Sequence, residues 1–311
     1  MNQLVFVKKG ISVVRKCLMK PNRQISNRKV LKKILRGILL VPLLLSSMVY
    51  AVSLDEIKSR GFMTIATEDN YAPFKIIADG KPSGFTNDMV AELRKYAPFE
   101  IKQEIMPWTG LLPAVTTGKY DAAITGAIVS TERLARFDFA PPIASAQHMA
   151  ILRAKDESVK TVADLSGKTL GLQAGSVLLT RLPELEQMLK ASGGKLGRVI
   201  EYTSYPEAYA DLANGRLDYV IDGFVPAKTL AMKRSNVFKM GPAVSGPGFH
   251  AWAIPKGNES LLGFITQFLN QMRESGKLAE LQEKWFGQAF PDLPTQPITS
   301  VEQYQELISI K

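Results

Sequence analysis

Acidic residues are missing from the first 51 positions of this 311-residue chain, and cysteine is nearly missing from all of it, Cys17 being the only one. Histidine is scarce too, with His148 and His250 alone. No apolar run reaches the roughly 20 residues that a membrane-spanning helix needs. Each scarcity excludes something. Beyond Cys17 there is no thiol for a disulfide, a nucleophile or a thiolate metal site. Two histidines without His-x-x-x-His spacing make no zinc site. The glycine-rich stretches Ser192–Gly194 and Gly241–Gly248 lack phosphate-loop spacing and read as turns. Neither a metal nor a cofactor is expected, and no catalytic residue is assigned.

What is present at the N-terminus is charge of one sign. Residues 1–51 hold eleven of the 39 Lys and Arg, leaving 28 basic against 29 acidic residues from Val52 onward. The net charge of +10 therefore sits in the leader, and a balanced body argues against a nucleic-acid partner. The basic block runs into the apolar stretch Gly37–Leu45, interrupted by Pro42, and then into Val49-Tyr50-Ala51. That is the order of a secretion signal: charged region, short apolar region, small-residue cleavage site. A signal peptide over 1–51, cleaved near Ala51, and a periplasmic mature chain are expected; an uncleaved anchor is the alternative. Cys17 precedes the apolar stretch and so is not placed for lipid modification. Met19 offers a later start that leaves the mature chain unchanged.

From Val52 onward, short apolar runs alternate with helical patterns, which predicts an α/β fold. Strands are expected over Met63–Thr67, Ile101–Met106, Tyr120–Thr125, Thr169–Gln173, Val199–Thr203 and Leu217–Asp222. Helices are expected over Phe85–Tyr96, Leu111–Thr117, most of Val177–Lys190, and Glu207–Asn214. Asn258 should cap a helix whose apolar residues Leu261, Ile265, Phe268 and Met272 fall on one face. An internal repeat organises these pieces. Gly118-Lys-Tyr-Asp-Ala-Ala-Ile-Thr-Gly126 matches Gly215-Arg-Leu-Asp-Tyr-Val-Ile-Asp-Gly223, and Trp108 and Tyr205 each stand thirteen residues before the matched Asp121 and Asp218. Duplicated lobes imply a crevice between them, with the strand ends Thr125–Gly126 and Asp222–Gly223 facing it. Lobe 1 is placed at about 52–145 plus 249–311 and lobe 2 at about 146–248. The chain should cross between them near Ala144–Met149 and Gly246–Ala251, forming a hinge.

Eight short motifs in order now carry a resemblance. They are Tyr71-Ala-Pro-Phe74, Gly84-Phe85-Thr-Asn-Asp88, Trp108 through Gly118-Lys-Tyr-Asp121, and Ser130-Thr-Glu-Arg133 with Phe137-Asp-Phe-Ala-Pro141. Asp164-Leu-Ser-Gly-Lys168, Gly175-Ser176, Gly215-Arg-Leu-Asp218 and Lys284-Trp-Phe-Gly287 complete the set. Across Leu54 to about Phe290 the chain resembles the bacterial extracellular solute-binding proteins, family 3, of the polar amino-acid uptake type. The resemblance implies a two-lobed periplasmic-binding-protein type II (Venus-flytrap) fold. It also implies a monomer that encloses an amino acid or related small carboxylate and delivers it to an ABC permease in the inner membrane.

The same resemblance assigns Arg133 to the ligand's α-carboxylate, a role a guanidinium fork suits. Tyr71 and Trp108 become aromatic walls, with Phe74 behind them. Thr125, Gly126, Ile128, Ser176 and Val177 line the site, with backbone N–H groups near Ile128 and Ser176–Val177 completing the carboxylate seat. Glu68 and Asp69, just after the first strand, are each either an acidic contact or a solvated loop residue, and Glu68 is the one placed at the site. Two departures matter. Many family members place an Asp for the ligand's ammonium where this chain has Gly223; Asp222 stands one residue earlier and is the substitute expected here. Ile128 and Val177 occupy positions where hydroxyl residues are common, so a less polar ligand, or one lacking an α-amine, stays open. Alternative functions are a periplasmic enzyme resembling the cyclohexadienyl dehydratases, with Glu68 as general acid, and a ligand-sensing module.

Overall fold

The computed structural model describes residues 52–78 and 80–309. The signal-peptide reading falls on 1–51, outside the described residues. Helix α1 (Leu54–Arg60) starts at a capping box, where the Ser53 hydroxyl accepts from the Glu56 N–H and the Glu56 carboxylate accepts from the Ser53 N–H. Strand β1 (Phe62–Glu68) follows, then the hairpin β2 (Ile76–Ala78) and β3 (Lys81–Ser83), helix α2 (Phe85–Tyr96) and strand β4 (Glu100–Met106). Helix α3 (Trp108–Thr116) leads to strand β5 (Ala122–Ala123), helix α4 (Thr131–Leu134) and strand β6 (Phe137–Phe139).

A short strand β7 (Ala144–Ser145) then carries the chain to β8 (His148–Arg153) and β9 (Leu170–Gln173). Helices α5 (Val177–Thr180) and α6 (Leu182–Ala191), strand β10 (Val199–Tyr202), helix α7 (Tyr205–Ala213), strand β11 (Tyr219–Gly223), helix α8 (Phe224–Lys233) and strand β12 (Phe238–Ala243) come next. The chain returns through β13 (Phe249–His250) to β14 (Ala253–Pro255) and ends in helices α9 (Glu259–Glu274), α10 (Lys277–Phe286) and α11 (Val301–Ile308). No helix among the described residues is long and apolar enough to cross a membrane.

Two five-stranded mixed sheets result, in the orders β4-β1-β5-β14-β6 and β10-β9-β11-β8-β12. This is the two-lobed type II α/β fold. The two connecting passages pair with each other: β7 runs antiparallel to β13, and the Ala146 N–H donates to Gly248 O. α9 forms as its spacing requires, with Leu261, Ile265, Phe268 and Met272 buried on one face and the Asn258 side chain accepting from the Leu261 N–H.

The repeat is built twice in the same way. Gly118 and Gly215 take left-handed φ values of 76° and 78° just after α3 and α7, a conformation glycine adopts without a Cβ penalty. Asp121 then exchanges two bonds with Thr64 of β1: its N–H donates to Thr64 O, and its carboxylate accepts from the Thr64 N–H. Asp218 does the same with Thr169 at the entrance to β9. Each aspartate thus locks a repeat strand beside its parallel neighbour.

Three expected elements differ. α3 begins at Trp108, directly after Pro107, rather than at Leu111. The expected strand over Tyr120–Thr125 is reduced to Ala122–Ala123, although the Ile124 N–H still donates to Ala66 O. The expected helix across Val177–Lys190 breaks at Arg181, because Pro183 has no N–H to continue α5 and instead opens α6.

Asp121 also accepts from the Thr64 hydroxyl and from Arg60, whereas Asp218 is more exposed and pairs only with the Thr169 backbone. Asp121→Ala should therefore cost about 2–3 kcal/mol and Asp218→Ala about 1 kcal/mol, read from urea unfolding of residues 52–311.

Candidate functional site

The ends of β1 and β9, the chain just beyond β5 and the starts of α3, α5 and α7 converge on a small cavity. It is lined by Glu68, Tyr71, Trp108, Gly126, Ile128 and Arg133 on one side and by Gln173, Ser176, Val177 and Tyr205 on the other. The position follows from topology, since parallel strands end there and helices begin there. Four side-chain hydrogen bonds around the cavity join the two halves. Trp108 Nε1–H and Arg133 both donate to Gly175 O at 3.3 Å, Gln173 Nε2 donates to Glu68 Oε1 at 3.3 Å, and the Tyr71 hydroxyl donates to Asp222 Oδ1 at 2.9 Å.

Arg133 leaves α4 inside its first turn, where the Ser130 hydroxyl caps the helix by accepting the Arg133 N–H. Its guanidinium lies 5.0 Å from the centre of the Trp108 ring, a cation–π geometry. Its acceptors are main-chain carbonyls, Ile128 O at 2.7 Å and Gly175 O. No carboxylate among the described residues comes within 4.0 Å of it. Although the residue keeps partial solvent access, desolvation holds its pKa down to about 10, so it stays cationic at neutral pH.

Gly126 is required by packing: a Cβ there would lie 2.7 Å from Phe74 and 2.9 Å from Tyr71. Phe74 is fully buried behind Tyr71, with ring centroids 5.5 Å apart. Tyr71 is the first of three stacked tyrosines: its ring is 5.6 Å from Tyr205, which is 5.7 Å from Tyr209. Burial pushes all three phenols well above their ordinary pKa, so they remain neutral.

Eight of the ten residues expected at the site line the cavity. Thr125 and Asp222 do not. Thr125 is buried behind Gly126. The Asp222 side chain is fully buried and accepts from the Tyr71 hydroxyl, the Tyr209 hydroxyl and the Gly223 N–H. It is therefore engaged behind the tyrosine stack and is not presented to the cavity, because the one-residue offset from position 223 moves it to another face of the strand end. A Cβ at position 223 would meet the His250 Nε2 at 3.1 Å, so a side chain there would ask the imidazole to give way slightly. That imidazole donates from Nδ1 to Gly126 O at 2.7 Å, and burial pushes its pKa down to about 4, so it is neutral. Asp69 does not line the cavity. Ile128 and Val177 do, and together with Ala146 they form an apolar patch. Gln173 and Tyr205 line the cavity without having been expected there; for Tyr205 the signal was present in its match to Trp108 in the repeat.

Glu68 is the one carboxyl that lines the cavity. It is 3% exposed, and burial pushes its pKa up to about 8; burial likewise raises Asp222 to about 7.

A cavity closed between two similar α/β lobes, with groups contributed from both, is the arrangement of a protein that encloses a small solute. The chain belongs to the bacterial extracellular solute-binding proteins, family 3, whose model matches residues 63–288. The L-cystine-binding protein TcyJ of Escherichia coli K12 is 30% identical over 240 residues, covering 75% of this chain and 86% of that protein. An ancestral arginine-binding protein bound to arginine superposes with a TM-score of 0.64 at 29% identity, covering 73% of this chain and 99% of that one. The ancestral amino acid-binding protein AncCDT-1, a precursor of cyclohexadienyl dehydratase, superposes with a TM-score of 0.65 at 25% identity, covering 75% and 98%.

A carboxyl whose folded pKa is raised binds its proton where the unfolded chain has lost it, so stability falls as pH rises between the two values. For Glu68 that window runs from about 4.5 to about 8. Glu68→Gln removes this contribution. The unfolding free energy of the variant minus that of wild type should therefore grow between pH 5 and pH 8 in urea titrations, and a flat difference would mean that Glu68 titrates as an ordinary carboxyl.

Proposed function

We propose that the mature chain, released by cleavage near Ala51, works in the periplasm as the substrate-binding component of an ABC-type uptake system. It captures an amino acid or related small carboxylate between lobe 1 (about 52–145 plus 249–311) and lobe 2 (about 146–248), and presents it as a monomer to an inner-membrane permease. The paired passages β7 and β13 serve as the hinge. The observation that carries this reading is Arg133: a cation at a small cavity whose protein partners are carbonyls and an indole face, with no carboxylate to neutralise it. A ligand carboxylate supplies the missing charge with bidentate geometry. Cystine, arginine and amino acids in general are what the named relatives bind, and they define the first compounds to test.

A second reading rests on Glu68. A buried carboxyl with a pKa raised to about 8 is protonated at neutral pH and has the form a general acid needs. The similarity to a precursor of cyclohexadienyl dehydratase names the activity to assay. Cyclohexadienyl dehydratase turnover by purified residues 52–311 would move the protein from carrier to enzyme; none is expected.

The deciding experiment is calorimetric titration of residues 52–311 with the proteinogenic L-amino acids and L-cystine. Arg133→Ala should weaken the tightest interaction by about 2–5 kcal/mol, because a desolvated carboxylate loses its charged partner. The melting temperature without ligand should stay close to that of wild type. Unchanged affinity in this variant would remove Arg133 from the site.

A further inference from the structure

The family model ends at residue 288, and the segment that follows it is built into the fold. Ile298 forms an antiparallel bridge with Phe139: its N–H donates to Phe139 O at 2.8 Å, and its carbonyl accepts from the Phe139 N–H at 2.9 Å. The sheet β4-β1-β5-β14-β6 is thereby extended past its edge strand β6. The Lys256 ammonium ties down the next residue by donating to Thr299 O as well as to Asp138. Helix α11 then starts at Ser300, whose hydroxyl accepts from the Gln303 N–H. The Gln303 amide reaches back over the same turn, accepting from the Thr299 N–H and donating to Pro297 O.

What α11 covers is the turn that carries Arg133, since it packs against α4. Tyr304 is 2% exposed and shares one buried cluster with Ile298, Val129, Leu134 and Phe139. Leu134 directly follows Arg133, and Val129 directly follows Ile128, whose carbonyl holds the guanidinium. The chain on both sides of the arginine is therefore anchored in a cluster to which the C-terminal segment contributes a wall. α4 needs such support. It is four residues long, and a helix that short takes its stability from packing rather than from its own hydrogen bonds. The guanidinium has no carboxylate to fix it either, so its placement depends on the turn it leaves from.

We infer that the C-terminal segment 291–308 is a brace that positions Arg133, with Ile298 and Tyr304 holding α4 in the geometry from which the guanidinium meets the ligand. Neither residue lines the cavity, so both act through Arg133 rather than on the ligand. The inference rests on the carrier reading above and adds to it positioning residues that lie beyond the matched family region. An arginine on a loosened turn is competent to bind for a smaller fraction of the time, and the apparent affinity falls by that fraction. This separates a brace from ordinary core packing, which sets how many molecules are folded without changing the affinity of the folded ones. The Tyr304 hydroxyl is buried without a hydrogen bond, so the packing of the ring is what the brace uses.

The test measures three things on residues 52–311 and their variants: calorimetric affinity for the tightest-binding L-amino acid, melting temperature, and ligand-free hydrogen exchange at the α4 amides of Leu134, Ala135 and Arg136. Tyr304→Ala should weaken binding about 10-fold, as when α4 keeps its bound geometry about a tenth of the time, and should speed α4 exchange by a similar factor. Tyr304→Phe keeps the ring and should behave as wild type. Phe264→Ala is an equally large truncation, on α9 against Tyr96 and Phe99. It should lower the melting temperature by about 5–15 °C, as Tyr304→Ala does, yet leave affinity and α4 exchange unchanged. Should Tyr304→Ala fail to fold, Leu307→Ala makes a smaller cut on the same face of α11 and carries the same comparison. Wild-type affinity and α4 exchange in the folded α11 variant, or equal losses in Phe264→Ala, would overturn the inference. If Arg133→Ala loses binding in that case, the carrier reading stands without the brace. If the wild-type chain binds no amino acid, the carrier reading fails separately, and unchanged α4 exchange in the α11 variant overturns the brace.

Discussion

The structure depends on a guanidinium placed at a cavity without an anionic partner. A desolvated cation is expensive, and carbonyl oxygens and an indole face offset only part of that cost. Around Arg133 the surroundings are arranged to hold the charge rather than to cancel it: the Ser130 cap fixes the turn it leaves from, Ile128 O and Gly175 O orient the fork, and Trp108 covers one face. Arg181, at the α5–α6 break, shows the contrasting solution, since it pairs with Glu184 and adds the carbonyls of Gly246 and Pro247. One arginine is neutralised within the fold, while the other keeps only carbonyl and indole partners.

The acidic side of the cavity follows the same economy. Two carboxyls lie close together, and burial raises both, yet they sit in different positions. Asp222 is tied down by two phenols and a backbone N–H and acts as a bracket joining Tyr71 from one lobe to the end of β11 in the other. Glu68 lines the cavity with one amide partner, Gln173. The tyrosine stack explains this division of labour, because it fills the space between Asp222 and the cavity. His250 packs against the same strand end, its Nε2 3.1 Å from where a Cβ at 223 would lie. Asp222, Tyr71, Tyr209 and His250 thus pack together around Gly223.

Much of this was legible in the sequence because it depends on local rules. The helix over Glu259–Glu274 follows from apolar spacing and an Asn cap, and the α/β alternation follows from short apolar runs between amphipathic ones. The repeat identified Gly118 with Gly215 and Asp121 with Asp218, and these pairs share φ values and hydrogen-bond partners in the fold. Eight of the expected site residues meet at one cavity because strand ends and helix starts converge there wherever parallel strands run side by side.

What the sequence could not convey was which side of a strand end each residue would face, and what would already occupy the space. Asp222 and Gly223 are neighbours in the chain; the reach of either depends on Tyr71, Tyr209 and His250, contributed from segments far apart in sequence. Tyr205 was visible as the repeat partner of Trp108, but its place between Tyr71 and Tyr209 in the stack is set by tertiary packing. Periodicity, capping and duplication are properties of contiguous residues and were settled by the sequence itself. The allocation of hydrogen-bond partners in a crevice depends on which distant groups arrive first at each lone pair, and only the tertiary structure decided that.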